Sequence, residues 1–224
     1  MIDTDALLSE IKTGAWCAGG GDAGDLARAA SRIADANVPM ISVAPSSIAV
    51  MWPWLEKMPV KMLGRFYLET GTDDGGISDL TRRMNAAFKQ GAAGAQVFLR
   101  RADLAGFVDN LHLIRDDLFF NKYLAVGMDI GEIDMDQWAT VFELMDKIRA
   151  DALTLIMPDD AGDASDFVGR IYGLMTVMPA DVRWQLHFAL GNNFLRIEQA
   201  WRLIQKMRPR ISDGVRFFVN YEPR

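Results

Sequence analysis

The chain has 224 residues, half of them hydrophobic, with a formal net charge of −6 and a pI near 5.0. That length supports one domain, residues 1–224, with a full apolar core. The acidic balance excludes a general binder of nucleic acid or of anionic membrane surfaces, because neither polyanion is attracted to it.

The opening segment MIDTDALLSE is acidic and has no apolar signal region. No run of about 18 apolar residues exists to span a membrane. The single cysteine, Cys17, cannot form an internal disulfide and fits a reducing cytoplasm, the expected location.

In chain order, Asp5–Lys12 reads as a helix with Leu7, Leu8 and Ile11 on one side and Asp3 or Thr4 as cap. Short apolar strands follow at Ala15–Ala18, Val38–Pro45, Lys61–Leu68, Ala93–Arg100, Tyr123–Ile130, Ala152–Pro158, Arg183–Leu190 and Val215–Tyr221. Between them lie segments with helical spacing. Leu26, Ala29, Ala30 and Ile33 form one stripe, and Leu104, Phe107, Val108, Leu111, Ile114 and Leu118 another. Trp138, Val141, Phe142, Met145 and Ile148 form a third, and Ile197, Ala200, Trp201 and Ile204 a fourth. Strands alternating with helices argue for parallel βαβ units, and eight such units close into a (β/α)8 barrel. The alternative is an open doubly wound sheet. Three residues follow Tyr221, and no helix is expected after the eighth strand. The leading helix is expected to cover the gap between the last and first strands. A plug for the barrel bottom and cover from a partner subunit are the alternatives.

Alternation assigns each strand an outward apolar face and an inward face. The inward sets are Arg65, Tyr67 and Glu69 on the third strand, and Gln96, Phe98 and Arg100 on the fourth. On the fifth they are Tyr123, Ala125, Gly127 and Asp129. The seventh gives Arg183, Gln185 and His187, and the eighth Arg216, Phe218 and Asn220. Ser42 and Thr154 complete the polar set. Barrels of this kind are usually filled by branched aliphatic side chains, so this interior is unusually polar. Buried arginines need anionic partners, from Glu69 and Asp129 or from a ligand. Glu69, Arg100, Asp129, His187 and Asn220 come late in their strands and are expected at the C-terminal mouth, where barrel enzymes work. Arg65, Gln185 and Arg216 come earlier and are expected in a buried salt-bridge network.

The loop after the first strand, with Gly20 and Gly21, offers backbone N–H groups and a helix N-terminus to an anion. Glu69 and Asp129 could hold Mg²⁺ or Mn²⁺, which prefer oxygen ligands. No lysine comes late in a strand, so a Schiff-base aldolase ranks low. No Gly-x-Ser-x-Gly elbow exists.

The strand–helix repeat resembles the compact aldolase-type TIM barrels over nearly the whole chain, at the level of fold. The reading that follows is a lyase or isomerase acting on a small anionic metabolite, a sugar phosphate or oxo-acid. Glu69, Asp129 and His187 are the catalytic candidates. Arg100, Arg65, Tyr67, Gln96, Asn220, Arg216, Gly20 and Gly21 are the substrate-binding candidates. The alternative is a non-catalytic barrel that binds a ligand or a protein, its interior charges paired with one another. A homo-oligomer is a further expectation.

Overall fold

The computed structural model describes residues 3–17, 22–68, 74–104, 106–107, 121–157 and 164–220. The strands are β1 (Thr13–Trp16), β2 (Met40–Val43), β3 (Lys61–Tyr67), β4 (Gly94–Phe98), β5 (Tyr123–Asp129), β6 (Ala152–Ile156), β7 (Gln185–Ala189) and β8 (Val215–Asn220). Among the described residues the α-helices are α1 (Thr4–Glu10), α2 (Ala23–Asp35), α3 (Pro45–Leu55), α4 (Asp74–Lys89), α5 (Trp138–Lys147), α6 (Ala164–Val177) and α7 (Phe194–Met207). Most of the helical stripe from Leu104 to Leu118 lies outside the described residues. No described helix is long and apolar enough to cross a membrane.

All eight strands pair in sequence order and in parallel, and β8 pairs with β1 from Thr13↔Phe217 to Trp16↔Asn220. This closure rules out the open sheet. Observed β1 begins two residues before the expected Ala15. Thr13 and Gly14 are drawn into the ladder by β8, and tertiary pairing outweighs the weak strand propensity of glycine.

The outward faces build the main core. Ile41, Val43, Met62, Phe66, Val97, Val126, Leu155, Leu186, Phe188 and Phe217 are buried against helix residues such as Ile33, Ile48, Leu80, Val141, Ile171 and Ile197. Each fully buried side chain of this size contributes about 1.5–3 kcal/mol. Leu7 and Ile11 join this layer, and Glu10 of α1 pairs with Arg202 of α7 at 3.2 Å. The leading helix therefore lies outside the barrel beside the last helix, as expected, and does not plug the axis. Asp3 caps it, its carboxylate accepting from the Ala6 N–H at 3.1 Å.

The axis holds a second, smaller cluster containing Met40, Leu63 and Phe218 with Trp16, Tyr123 and Ile156 packed on it. Ring contacts run along its whole length. Tyr67 stacks on Phe98 (5.2 Å), Phe98 meets Trp16 (5.9 Å), and Trp16 meets Phe218 (6.3 Å). Phe218 meets His187 (5.4 Å), and His187 stacks on Tyr123 (6.2 Å). Two glycines make room for this column. A Cβ on Gly127 would fall 2.3 Å from the Phe98 ring, and one on Gly14 would fall 2.8 Å from the Phe218 ring. Gly127→Ala should therefore cost about 1–3 kcal/mol by overpacking. Urea denaturation checks this, and a Phe98→Leu/Gly127→Ala double variant should recover part of the loss.

Candidate functional site

Following the pairings from Trp16 through Ser42, Leu63, Gly94 and Tyr123 and on round the barrel returns to β1 eight residues earlier. That shear of 8 places inward residues of alternate strands at a common level. From the N-terminal end upward, the levels are Lys61, Tyr123 and Gln185, then Met40, Ala152 and Arg216. Leu63, Ala125 and His187 come next, then Ser42, Gln96, Thr154 and Phe218. Above these lie Trp16, Arg65, Gly127 and Ala189, then Phe98, Ile156 and Asn220, with Tyr67 and Asp129 at the mouth. Contacts within single levels agree with this order. Gln96 donates to Thr154 at 3.2 Å, Tyr123 donates to Gln185 at 3.1 Å, and the Arg65 guanidinium lies 4.1 Å over the Trp16 ring.

At the upper end Arg65 is the dominant group. It is 7% exposed, and its Nη2 donates to the Cys17 carbonyl at 2.6 Å. Its Nη1 is sealed with no hydrogen-bond partner, and it forms no ion pair with any described carboxylate. Burial pulls its pKa down. Above it, Tyr67 is half-exposed, and Asn220 is half-buried on the level above Trp16. Asp129 closes β5, with Oδ1 accepting from the Gly131 N–H at 2.7 Å. Glu69, Gly20 and Gly21 lie outside the described residues.

Three expectations need correction. Arg100 does not point inward: β4 ends at Phe98, and the Arg100 side chain is 55% exposed and paired with Asp103 at 2.9 Å. It lines a rim cavity of about 540 Å³ with Arg101, Ala102, Gly131 and Glu132. His187 is not at the mouth. It sits in the middle of β7 beneath Phe218, wholly buried, with Nε2 3.2 Å from Gln185 Oε1 and 3.4 Å from the Tyr123 hydroxyl. The salt-bridge network for Arg65 and Arg216 is replaced by bonds to main chain. Arg216 Nη1 donates to the Thr13 carbonyl at 2.6 Å, and Arg65 takes the Cys17 carbonyl, so the two arginines hold the two ends of the short strand β1.

Gln96 is fully buried in the middle of the axis, with Ser42 and Thr154 on its level. The Ser42 Oγ, Gln96 Oε1, His187 Nδ1 and Arg216 Nε atoms are sealed there without a protein partner. Trp16, which forms the floor of the mouth, was the residue that sequence reasoning missed. Its signal was the β8 register, which single-strand periodicity does not carry. Cys17 packs in the outer core and its thiol is pushed up to about 11, burial outweighing the Arg65 charge. Among the described residues no three metal-ligating side chains gather.

All seven lysines (12, 57, 61, 89, 122, 147 and 206) precede a strand or end a helix, so all lie at the N-terminal face, opposite the mouth.

Two outcomes follow from burial. The His187 pKa is pushed down to about 3, chiefly by burial and then by Arg216. The unfolded chain takes up this proton near pH ~6.5 and the folded chain refuses it. Stability is therefore full above that pH and falls toward pH ~3, at about 1.4 kcal/mol per pH unit. Urea unfolding should show about 2 kcal/mol lost between pH ~7 and pH ~5, and His187→Gln should flatten that slope. Cys17 should react with a thiol reagent only as the chain unfolds, measured by labelling along a denaturant series.

No protein-family model matches the chain, and no curated protein matches it in sequence. Solved structures do match in shape. A candidate deoxyribose-phosphate aldolase from Coccidioides immitis superposes with a TM-score of 0.70 at 9% identity, covering 94% of this chain and 81% of that one. The tetrameric deoxyribose phosphate aldolase of Aeropyrum pernix gives 0.67 at 10% identity, covering 92% and 84%. A candidate copper homeostasis protein CutC from Streptococcus agalactiae gives 0.65 at 12% identity, covering 96% and 100%. At these identities the likeness speaks to fold alone, and by fold the chain is a (β/α)8 TIM barrel.

Proposed function

We propose that the barrel binds a small anionic metabolite, a sugar phosphate or an oxo-acid, at its C-terminal mouth and acts on it as a lyase or isomerase. Arg65 carries the reading: a buried guanidinium with one unused nitrogen and no described carboxylate partner. An oxyanion would supply the missing acceptor and offset the buried charge. Tyr67 and Asn220 would line the entrance, and the Gly20 and Gly21 backbone would add N–H donors. Asp129 would take the proton, with Glu69 the second candidate base. His187 has no part in this step, because Phe218 and Trp16 stand between it and the mouth. A Schiff base has none either, since no lysine reaches the mouth. The tetrameric Aeropyrum pernix neighbour supports reading this chain as a homo-oligomer too.

The ring column favours a second reading, a barrel that binds a ligand without turning it over, because it shuts off the interior polar groups.

Thermal unfolding against phosphorylated and carboxylated metabolites tests the first reading. A saturable rise in Tm is expected, by mass action on the folded state. Arg65→Met should abolish the rise while the circular dichroism spectrum stays native. Solvent deuterium should enter the bound ligand and stop doing so in Asp129→Asn. Binding without exchange selects the second reading, and a flat panel sinks both. Including Mg²⁺ and Mn²⁺ in the panel tests Glu69 and Asp129 as a cation pair.

A further inference from the structure

The N-terminal face carries a cavity that the mouth chemistry does not use. It has a volume of about 210 Å³ and lies between the chain entering β7 and the turn before β8. Its polar lining is Arg183, Trp184, Gln185 and Arg210, set against Met178 and Ile211. No carboxylate lines it. Arg183 and Arg210 are exposed and form no ion pair with any described residue. Trp184 is 6% exposed, stacked on Phe142 at 5.9 Å, and its indole Nε1–H has no acceptor. Gln185 spends its Oε1 on the Tyr123 hydroxyl and His187 Nε2, which leaves its amide N–H₂ as donor.

We propose that this cavity is an oxyanion site, taking a phosphate group or a carboxylate of a small molecule, separate from the mouth. Every polar group that lines it can donate, and two of them are cations without counter-charge. An oxyanion is the ligand class that accepts from all of them at once. Two acids, Asp146 and Asp181, line the adjoining larger cavity, which shares Arg183 and Trp184. They bound the site on one side and favour a compact anion over an extended one. Gln185 then links the bound anion to the buried Tyr123–His187 pair, so occupancy is felt inside the barrel.

Inorganic phosphate is the first probe, with chloride at matched ionic strength as control. Titration should move the Trp184 indole ¹H–¹⁵N resonance saturably, the signal being assigned by its loss in Trp184→Phe. The Arg183→Gln/Arg210→Gln double variant, changed only at exposed positions, should weaken phosphate by roughly tenfold or more. Arg65→Met should bind phosphate here as the parent does, which separates this site from the mouth. An indole resonance that does not move, an equal response to chloride, or an unchanged affinity in the double variant would each overturn the proposal.

Discussion

The packing of Trp16 against Phe98 and Phe218 governs what the rest of this barrel can do. A closed eight-stranded sheet leaves an axis only wide enough for side chains to fill. Three large rings on successive levels, Phe218, Trp16 and Phe98, use up that width. Gly127 and Gly14 are required because Phe98 and Phe218 occupy the space their side chains would need. The same rings separate the inward groups near the mouth, Arg65, Tyr67 and Asn220, from those deeper in the axis. His187, Gln96 and Thr154 fall on the sealed side. Their polarity is thus a matter of internal bonding rather than of access to substrate.

The two interior arginines serve a structural end by a route that charge pairing would not suggest. β1 is four residues long, and Arg216 and Arg65 donate to carbonyls at its start and just past its end. A hydrogen bond from a charged donor is worth about 1.5–3 kcal/mol. Burying a guanidinium costs several kcal/mol. The balance is unfavourable unless something else is gained. Arg65 recovers part of it by lying on the Trp16 face, a cation–π contact that strengthens when desolvated. Its Nη1 finds no protein acceptor, and there the balance stays open.

Much of the fold is legible in the sequence because strand alternation and helical spacing are local signals. The inward sets on β3, β4, β5, β7 and β8 follow directly from which residues are apolar at every second position. What could not be read was depth. Levels depend on shear, and shear emerges only when eight registers are joined end to end. That is why His187 was expected a full level or more too high. Arg100 failed for a different reason. The expected strand ran on to it, but the chain coils into a short 3₁₀ turn at Arg101–Asp103, and Asp103 captures the guanidinium. β1 was misplaced because its partner β8 lies some 200 residues away. Glycine at the start of a strand gives no local hint that it is paired.

The confinement of every lysine to one end has a practical side. Helix C-termini and strand starts meet at that face, and cations there complement the negative ends of the helix dipoles. The consequence reaches beyond stability. A surface or a reagent that captures side-chain amines will hold this molecule by its base, in one orientation. Attached in that way, the protein presents its mouth outward to whatever flows past.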